Sequence, residues 1–249
     1  MGKTAFVTGG AGFLGRHLVQ ELLSTGWHVT ALVRSEVPAW MQSPHLSIRN
    51  GSLDDERQLL AAMPDRPDAV FHVAGAISMW HGDMDILMRD NVTATRNLIL
   101  TALKRRASRV VLTSTLGVFQ DEGEPISEHN SLRSMSSERN PYLLTKLMAD
   151  EELQNAHRAG MSTVSMHPSH LLGPHDQAGW IKMFDDAVAG KLKAAPRGAP
   201  TSARSRPWLG PMWRPRCART PPRATCWVGP PCLTWTCSTR SPAARASNP

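Results

Sequence analysis

A short apolar run, Thr4-Ala5-Phe6-Val7-Thr8, leads straight into Gly9-Gly10-Ala11-Gly12-Phe13-Leu14-Gly15. Helical periodicity follows through Phe13, Leu14, Leu18 and Leu22 and stops at Gly26. Glycines at 9, 12 and 15 between a strand and a helix allow a turn too tight for side chains. They also let backbone N–H groups approach an anion at the positive end of the helix. This predicts a strand–turn–helix unit that binds the pyrophosphate of a dinucleotide. Gly9, Gly12, Phe13, Leu14 and Gly15 are its candidate contacts.

The same alternation continues along the chain. His28–Val33, Leu46–Arg49, Ala69–Val73, Val110–Thr113 and Thr163–Met166 read as strands. Helices are expected over Asp54–Met63, over Ile86–Arg105 and from Pro141 to about Arg158, with Asp54 and Asp55 in the first turn of their helix. Strands alternating with helices predict an α/β fold, a doubly wound parallel sheet of the Rossmann type, over residues 1–192.

Beyond residue 192 the pattern stops. Residues 187–249 hold 11 Lys and Arg with no acid, 11 of the 19 prolines, four of the eight tryptophans and all four cysteines. Residues 1–186 carry 17 Lys and Arg against 21 Asp and Glu, a net charge of −4, so the basic pI near 9.7 belongs to the tail. It is no argument for nucleic-acid binding. Cys217, Cys226, Cys232 and Cys237 form no Cys-x-x-Cys pair and no histidine follows His175, so no metal site is expected. The start of the chain lacks a charged-then-apolar leader and no apolar run is long enough for a membrane span, so a cytoplasmic location is expected.

Residues 193–249 read as an irregular basic tail, with a frameshifted reading of a GC-rich gene as its suspected origin. Cys226-Trp227-Val228 requires the codons TGY-TGG-GTN, whose neighbouring frame forces Leu-Gly. The substrate lobe is then missing or disrupted. A natural disordered tail rarely combines this many Trp and Cys with no acid.

The only tyrosine, Tyr142, precedes Lys146 by four residues, so on a helix the two share a face. A phenol with a reference pKa of about 10 is a poor acid–base catalyst near neutrality. A lysine cation beside it favours the phenolate and lowers that value. With the glycine turn about 130 residues upstream, the pair points to hydride chemistry on a nicotinamide cofactor. Arg34 ends the second strand, where a cation suits a 2′-phosphate, so NADP(H) is expected, with NAD possible.

Thr8-Gly9-x-x-Gly12-x-x-Gly15 with Tyr142-x-x-x-Lys146 resembles the extended short-chain dehydrogenase/reductases, the NAD-dependent epimerase/dehydratase family. His72-Val73-Ala74-Gly75, Asp90-Asn91-Val92, Thr113-Ser114-Thr115 and Pro168-Ser169-His170-Leu171-Leu172-Gly173-Pro174 follow in that family's order. Within it the chain looks closest to dihydroflavonol-reductase-like and hydroxysteroid-dehydrogenase-like members. The resemblance implies that Tyr142 is the general acid, that Lys146 lowers its pKa and binds the nicotinamide ribose, and that Thr115 stabilises the oxyanion, with Ser114 as second choice. It also implies cofactor contacts at Ser52, Leu53, Val73, Ala74, Gly75, Asn91 and Pro168. Gly51-Ser52-Leu53 stands where the family commonly has Gly-Asp-Leu, so Ser52 is a weaker acceptor for the adenine amino group. His167 stands where sugar-nucleotide epimerases commonly have Arg; the other histidines read as surface residues.

The expected activity is hydride transfer between NADP(H) and a ketone/secondary alcohol, dihydroflavonol-reductase-like. The alternatives are an NAD-dependent sugar-nucleotide epimerase or dehydratase, and a nucleotide-binding module without turnover because the substrate lobe is lost. The partner is a small carbonyl or alcohol, with no nucleic acid and no membrane, and a homodimer is left open.

Overall fold

The computed structural model describes residues 2–191, except 35, 122–125, 128–129 and 178–179, together with 202–204. Residues 205–249 lie outside the described residues, and with them the four cysteines and most of the segment read as a frameshifted tail.

Six parallel strands form one sheet in the order β3-β2-β1-β4-β5-β6. In chain order they are β1 (Thr4–Thr8), β2 (His28–Val33), β3 (Leu46–Asn50), β4 (Ala69–His72), β5 (Val110–Thr113) and β6 (Thr163–Met166). The helices are α1 (Phe13–Ser24), α2 (Glu56–Ala62), α3 (Met84–Leu87), α4 (Ala94–Lys104) and α5 (Pro141–Arg158). Successive side chains of a strand point to opposite faces, and β1 shows what that builds. Ala5 and Val7 pack on one face with Leu18, Leu22, Trp27 and Phe71, against α1. Phe6 packs on the other with Leu59, Leu98, Leu112 and Leu153, against α2, α4 and α5. Each fully buried side chain of this size contributes roughly 1.5–3 kcal/mol.

The chain runs outward from β1 to β2 and β3, then returns to place β4 on the other side of β1. The connections therefore diverge at the carboxyl ends of β1 and β4, and a crevice opens there.

Three local features differ from the sequence reading. Helix α2 begins at Glu56, because the Asp55 side chain accepts from Arg57 N and Gln58 N at 2.9 and 3.1 Å and caps it. Asp54 lies before the helix, not in its first turn. The long helix begins at Met84, not Ile86, and a π-helical turn, Met88–Thr93, separates α3 from α4. Such a turn shifts the inward face by one residue, and both Asn91 and Val92 are buried.

After β6 come β7 (His170–Leu172), α6 (Trp180–Val188) and β8 (Ser202–Arg204). Strands β7 and β8 pair in parallel as a separate two-stranded sheet, so a piece of regular structure exists beyond residue 192, where no periodicity predicts any. Among the described residues no helix is long and apolar enough to cross a membrane.

Candidate active site

The glycine turn stands at the crevice as expected. Gly12 N donates to Gly9 O at 3.1 Å, and Gly9 has φ +71° with a Cβ position only 2.5 Å from Ala74 N. A Cβ on Gly15 would strike the Gly9 carbonyl oxygen. Both positions therefore require glycine. Helix α1 has no capping side chain and no acid in its first turn, so the N–H groups at Phe13 and Leu14 remain available to an anion. The Phe13 and Leu14 side chains serve the core and the buried His17. This cradle fits the pyrophosphate of a dinucleotide.

Beside it lies a cavity of about 260 Å³ lined by the ends of β1 and β2, the Gly51–Asp54 turn, Ala74, Gly75, Arg89 and Asp90. Arg34 reaches it with 70% of its side chain exposed and stands 3.7 Å from Asp90. The Ser52 hydroxyl donates to Asp54, which leaves the Ser52 lone pairs free to accept. Leu53 turns its side chain to the core, and its carbonyl accepts from Asn97 at 3.0 Å.

The other end of the crevice is buried. Val73, Ala74 and Gly75 extend from β4, and Asn91 braces them: its Oδ1 accepts from Ala76 N at 2.8 Å. Its Nδ2 donates to Ala76 O and to Thr145 Oγ1 at 3.0 and 3.1 Å. Only the second lone pair of Oδ1 is left for any ligand. A Cβ on Gly75 would lie 3.0 Å from Asn91 Oδ1 and 3.8 Å from Lys146 Nζ, so Gly75 brings the backbone against both. Below them His72 is wholly buried. Thr95 Oγ1 donates to Asn91 O at 2.5 Å, so it accepts from His72 Nε2–H, and His72 Nδ1 accepts from Thr8. Burial first, and then the charge of Lys146, push the His72 imidazolium down to about 3.

Asn140 caps α5 by accepting from Tyr142 N and Leu143 N at 3.0 and 3.2 Å, and Pro141 occupies the first turn. This start sets Tyr142 facing the end of β5, beside the Thr115 side chain. Thr115 itself heads a short turn and accepts from Gly117 N at 3.4 Å. The Lys146 ammonium donates to Thr113 O at 2.7 Å. Burial pushes Tyr142 up to about 12; the neighbouring Thr115 hydroxyl opposes this and the Asp150 charge adds to it. Lys146 is not among the groups that shift the phenol in this geometry, in which its ammonium donates to Thr113 O. Burial pushes Lys146 down to about 8, against the pull of Asp150.

Ser114 does not join Tyr142. It donates to Asp150 at 2.5 Å, as does Ser165, and His167 Nε2 lies 3.3 Å from the same carboxylate. All four are buried. The second choice for the oxyanion is therefore corrected: Ser114 supports a buried acid one turn beyond Lys146. The only mark of Asp150 in the sequence is its i+4 spacing from Lys146. Pro168 is buried and its carbonyl accepts from Leu116 N at 2.8 Å, tying the β6 end to the Thr115 turn. His17 is also buried, with Nε2 2.9 Å from Pro174 O, and is not the surface residue expected.

Residues 5–208 match the family model described as the NAD dependent epimerase/dehydratase family. The chain belongs to that family, as the resemblance implies. A Synechocystis protein named as a dihydroflavonol 4-reductase is 34% identical over 178 residues, covering 71% of this chain and 51% of that protein. A 3-beta-hydroxysteroid dehydrogenase from Mycolicibacterium neoaurum is 29% identical over 197 residues, 75% of this chain and 52% of its own. The chain thus spans about half the length of these relatives. Among solved structures, MoeE5 in complex with UDP-glucuronic acid and NAD superposes with a TM-score of 0.75 at 23% identity. The match covers 87% of this chain and 73% of that one, and it shows the shared fold.

Proposed function

We propose that this site transfers hydride between NADP(H) and a ketone or secondary alcohol, with dihydroflavonol-reductase-like chemistry. The observation that carries the reading is the Tyr142–Thr115 pair at the end of β5, with Lys146 reaching Gly75 in the crevice that the glycine turn opens. The nicotinamide cofactor supplies the hydride; the chain supplies the proton and the oxyanion contact. With its pKa near 12, Tyr142 holds its proton at neutral pH and is an acid in waiting. Thr115 stands beside the same hydroxyl, so a carbonyl oxygen arriving there meets two O–H groups that stabilise developing negative charge. Lys146, released from Thr113 O, is the cation able to draw the phenol down. Gly9, Gly12, Gly15 and the start of α1 hold the pyrophosphate, Ser52 takes the adenine amino group and Arg34 the 2′-phosphate. Names of curated relatives support reductase chemistry, and His167 in place of an arginine speaks against the sugar-nucleotide alternative.

The experiment is NADPH oxidation by the full chain with a flavanonol and a 3-ketosteroid, read with Tyr142→Phe beside it. Turnover that Tyr142→Phe abolishes supports the reading. NADPH binding without turnover favours a nucleotide-binding module whose substrate lobe is lost, and turnover only of a UDP-sugar with NAD favours the epimerase reading.

A further inference from the structure

Two arginines and two carboxylates meet around the 260 Å³ cavity: Arg34 from the end of β2, Arg89 from the π-helical turn, Asp90 beside it, and Asp54 from the turn after β3. Asp90 is shared. Its Oδ1 accepts from Arg89 Nε at 2.8 Å and its Oδ2 lies 3.7 Å from Arg34 Nη1. The Asp90 side chain keeps only 20% of its exposure, whereas the Arg34 side chain keeps 70%. The Asp54 carboxyl is held below the usual carboxylate range, first by the Ser52 hydroxyl and its own backbone, then by the charges of Arg89 and Arg34. Both guanidinium groups therefore face the same small space, and an acid of the chain already occupies the position between them.

We propose that Asp90 is a built-in rival of the cofactor's 2′-phosphate, which binds by taking over Arg34 and Arg89 together, so that Asp90 and Arg89 set the cofactor preference along with Arg34. This rests on the reading of Arg34 given above and adds two residues to it. The chemistry is exchange of one anion for another. A carboxylate bridging two guanidiniums offers one negative charge, whereas a phosphate monoester offers nearly two and three acceptor oxygens for forked donors. The 2′-hydroxyl of NAD offers no charge and leaves the Asp90 bridge in place. Discrimination then depends on the strength of the bridge, and weakening it favours the phosphorylated cofactor alone.

Calorimetric titration of the full chain with adenosine 2′,5′-bisphosphate and with adenosine 5′-monophosphate tests this without needing turnover. Thermal melts of each variant check that it is folded. Asp90→Asn keeps the shape and removes the charge. It is expected to tighten the bisphosphate about fivefold and leave the monophosphate unchanged, the scale of one exposed ion pair. Arg89→Gln is expected to weaken the bisphosphate by a similar factor, again with no change for the monophosphate. If Arg34→Ala weakens the bisphosphate while Asp90→Asn and Arg89→Gln leave it unmoved, this inference falls and the Arg34 reading stands. Weaker monophosphate binding by Asp90→Asn also overturns it, because Asp90 would then be a ligand of the ribose and not a rival. Should the parent bind both nucleotides alike, or neither, the Arg34 reading falls and takes this one with it.

Discussion

The two ends of the crevice use charge in opposite ways. At the Arg34 end, Arg34, Arg89, Asp90 and Asp54 stand near water, and their interactions are direct pairings weakened by the solvent. At the Tyr142 end, His72 and Lys146 are buried, and burial is the first cause of their lowered proton affinity. Against its own burial, Asp150 is held below the usual carboxylate range by His167, Ser114 and Ser165. On the proposed reading, the Arg34 end selects a ligand by pairing, while the Tyr142 end prepares a reaction by withholding water. Substitutions at one end should therefore alter affinity, and those at the other should alter rate and pH dependence.

The largest effect expected is on turnover. Tyr142→Phe removes one hydroxyl, and carbonyl reduction should fall roughly 10²- to 10⁴-fold with nucleotide binding unchanged. Steady-state kinetics beside a binding titration checks both halves, and undiminished turnover removes Tyr142 from the mechanism.

Next comes the pH dependence at the same end. Lys146 is pushed down to about 8, so it is charged below that value and neutral above it. Reductase activity should fall as pH rises through about 8, approaching tenfold for each further unit. The affinity for adenosine 5′-monophosphate should stay level over the same range. A rate profile flat to pH 10 breaks the comparison, because it makes the lysine's charge irrelevant.

Stability carries a related signature. His72 takes a proton near 6.5 when unfolded and near 3 when folded, so the unfolded state binds more protons between those values. Stability must therefore drop as pH falls from about 6.5 toward 3, by roughly 1.4 kcal/mol per pH unit. His72→Gln should be less stable near neutrality yet lose less on acidification, which denaturant titrations at pH 7 and 5 would show. Equal losses in both proteins would mean that other groups govern acid sensitivity.

The smallest effect belongs to the exposed end. Arg34→Ala should narrow the preference for NADPH over NADH by about five- to tenfold, less than a buried charge-assisted bond would give, because Arg34 is mostly solvated. The effect should shrink in high salt. A change in turnover with no change in affinity would blur the division between the two ends.

The difference between the ends also governs what could be read from residues alone. Gly9, Gly12 and Gly15 mark their turn because the constraint is local: Gly9 takes a positive φ, and a side chain at Gly15 would meet the backbone of Gly9 and Gly10. The strands were legible for a similar reason. His28–Val33 and Thr163–Met166 agree with their expected bounds because short runs rich in β-branched residues, set off by Gly26 and by Pro168, leave little choice. Tyr142 and Lys146 were found by their i+4 spacing, but not what each would touch. Whether Lys146 meets the phenol or Thr113 O depends on how far the helix stands from the end of β5, and that distance is set by packing between segments some thirty residues apart.

Asp150 carries the same point further. Its partners Ser114, Ser165 and His167 come from two strand ends separated in sequence by about fifty residues, so no local pattern marks them as a set. The π-helical turn that places Arg89 and Asp90 beside Arg34 likewise interrupts a segment whose composition is helical throughout. What the sequence by itself determined was the doubly wound sheet, the tight glycine turn and the i+4 spacing of Tyr142 and Lys146, because steric and periodic constraints act over a few residues. What only the tertiary structure decided was which charges face each other and which are stripped of water. Those depend on the distance between elements, and Coulomb energy and solvation respond to distance, not to order along the chain.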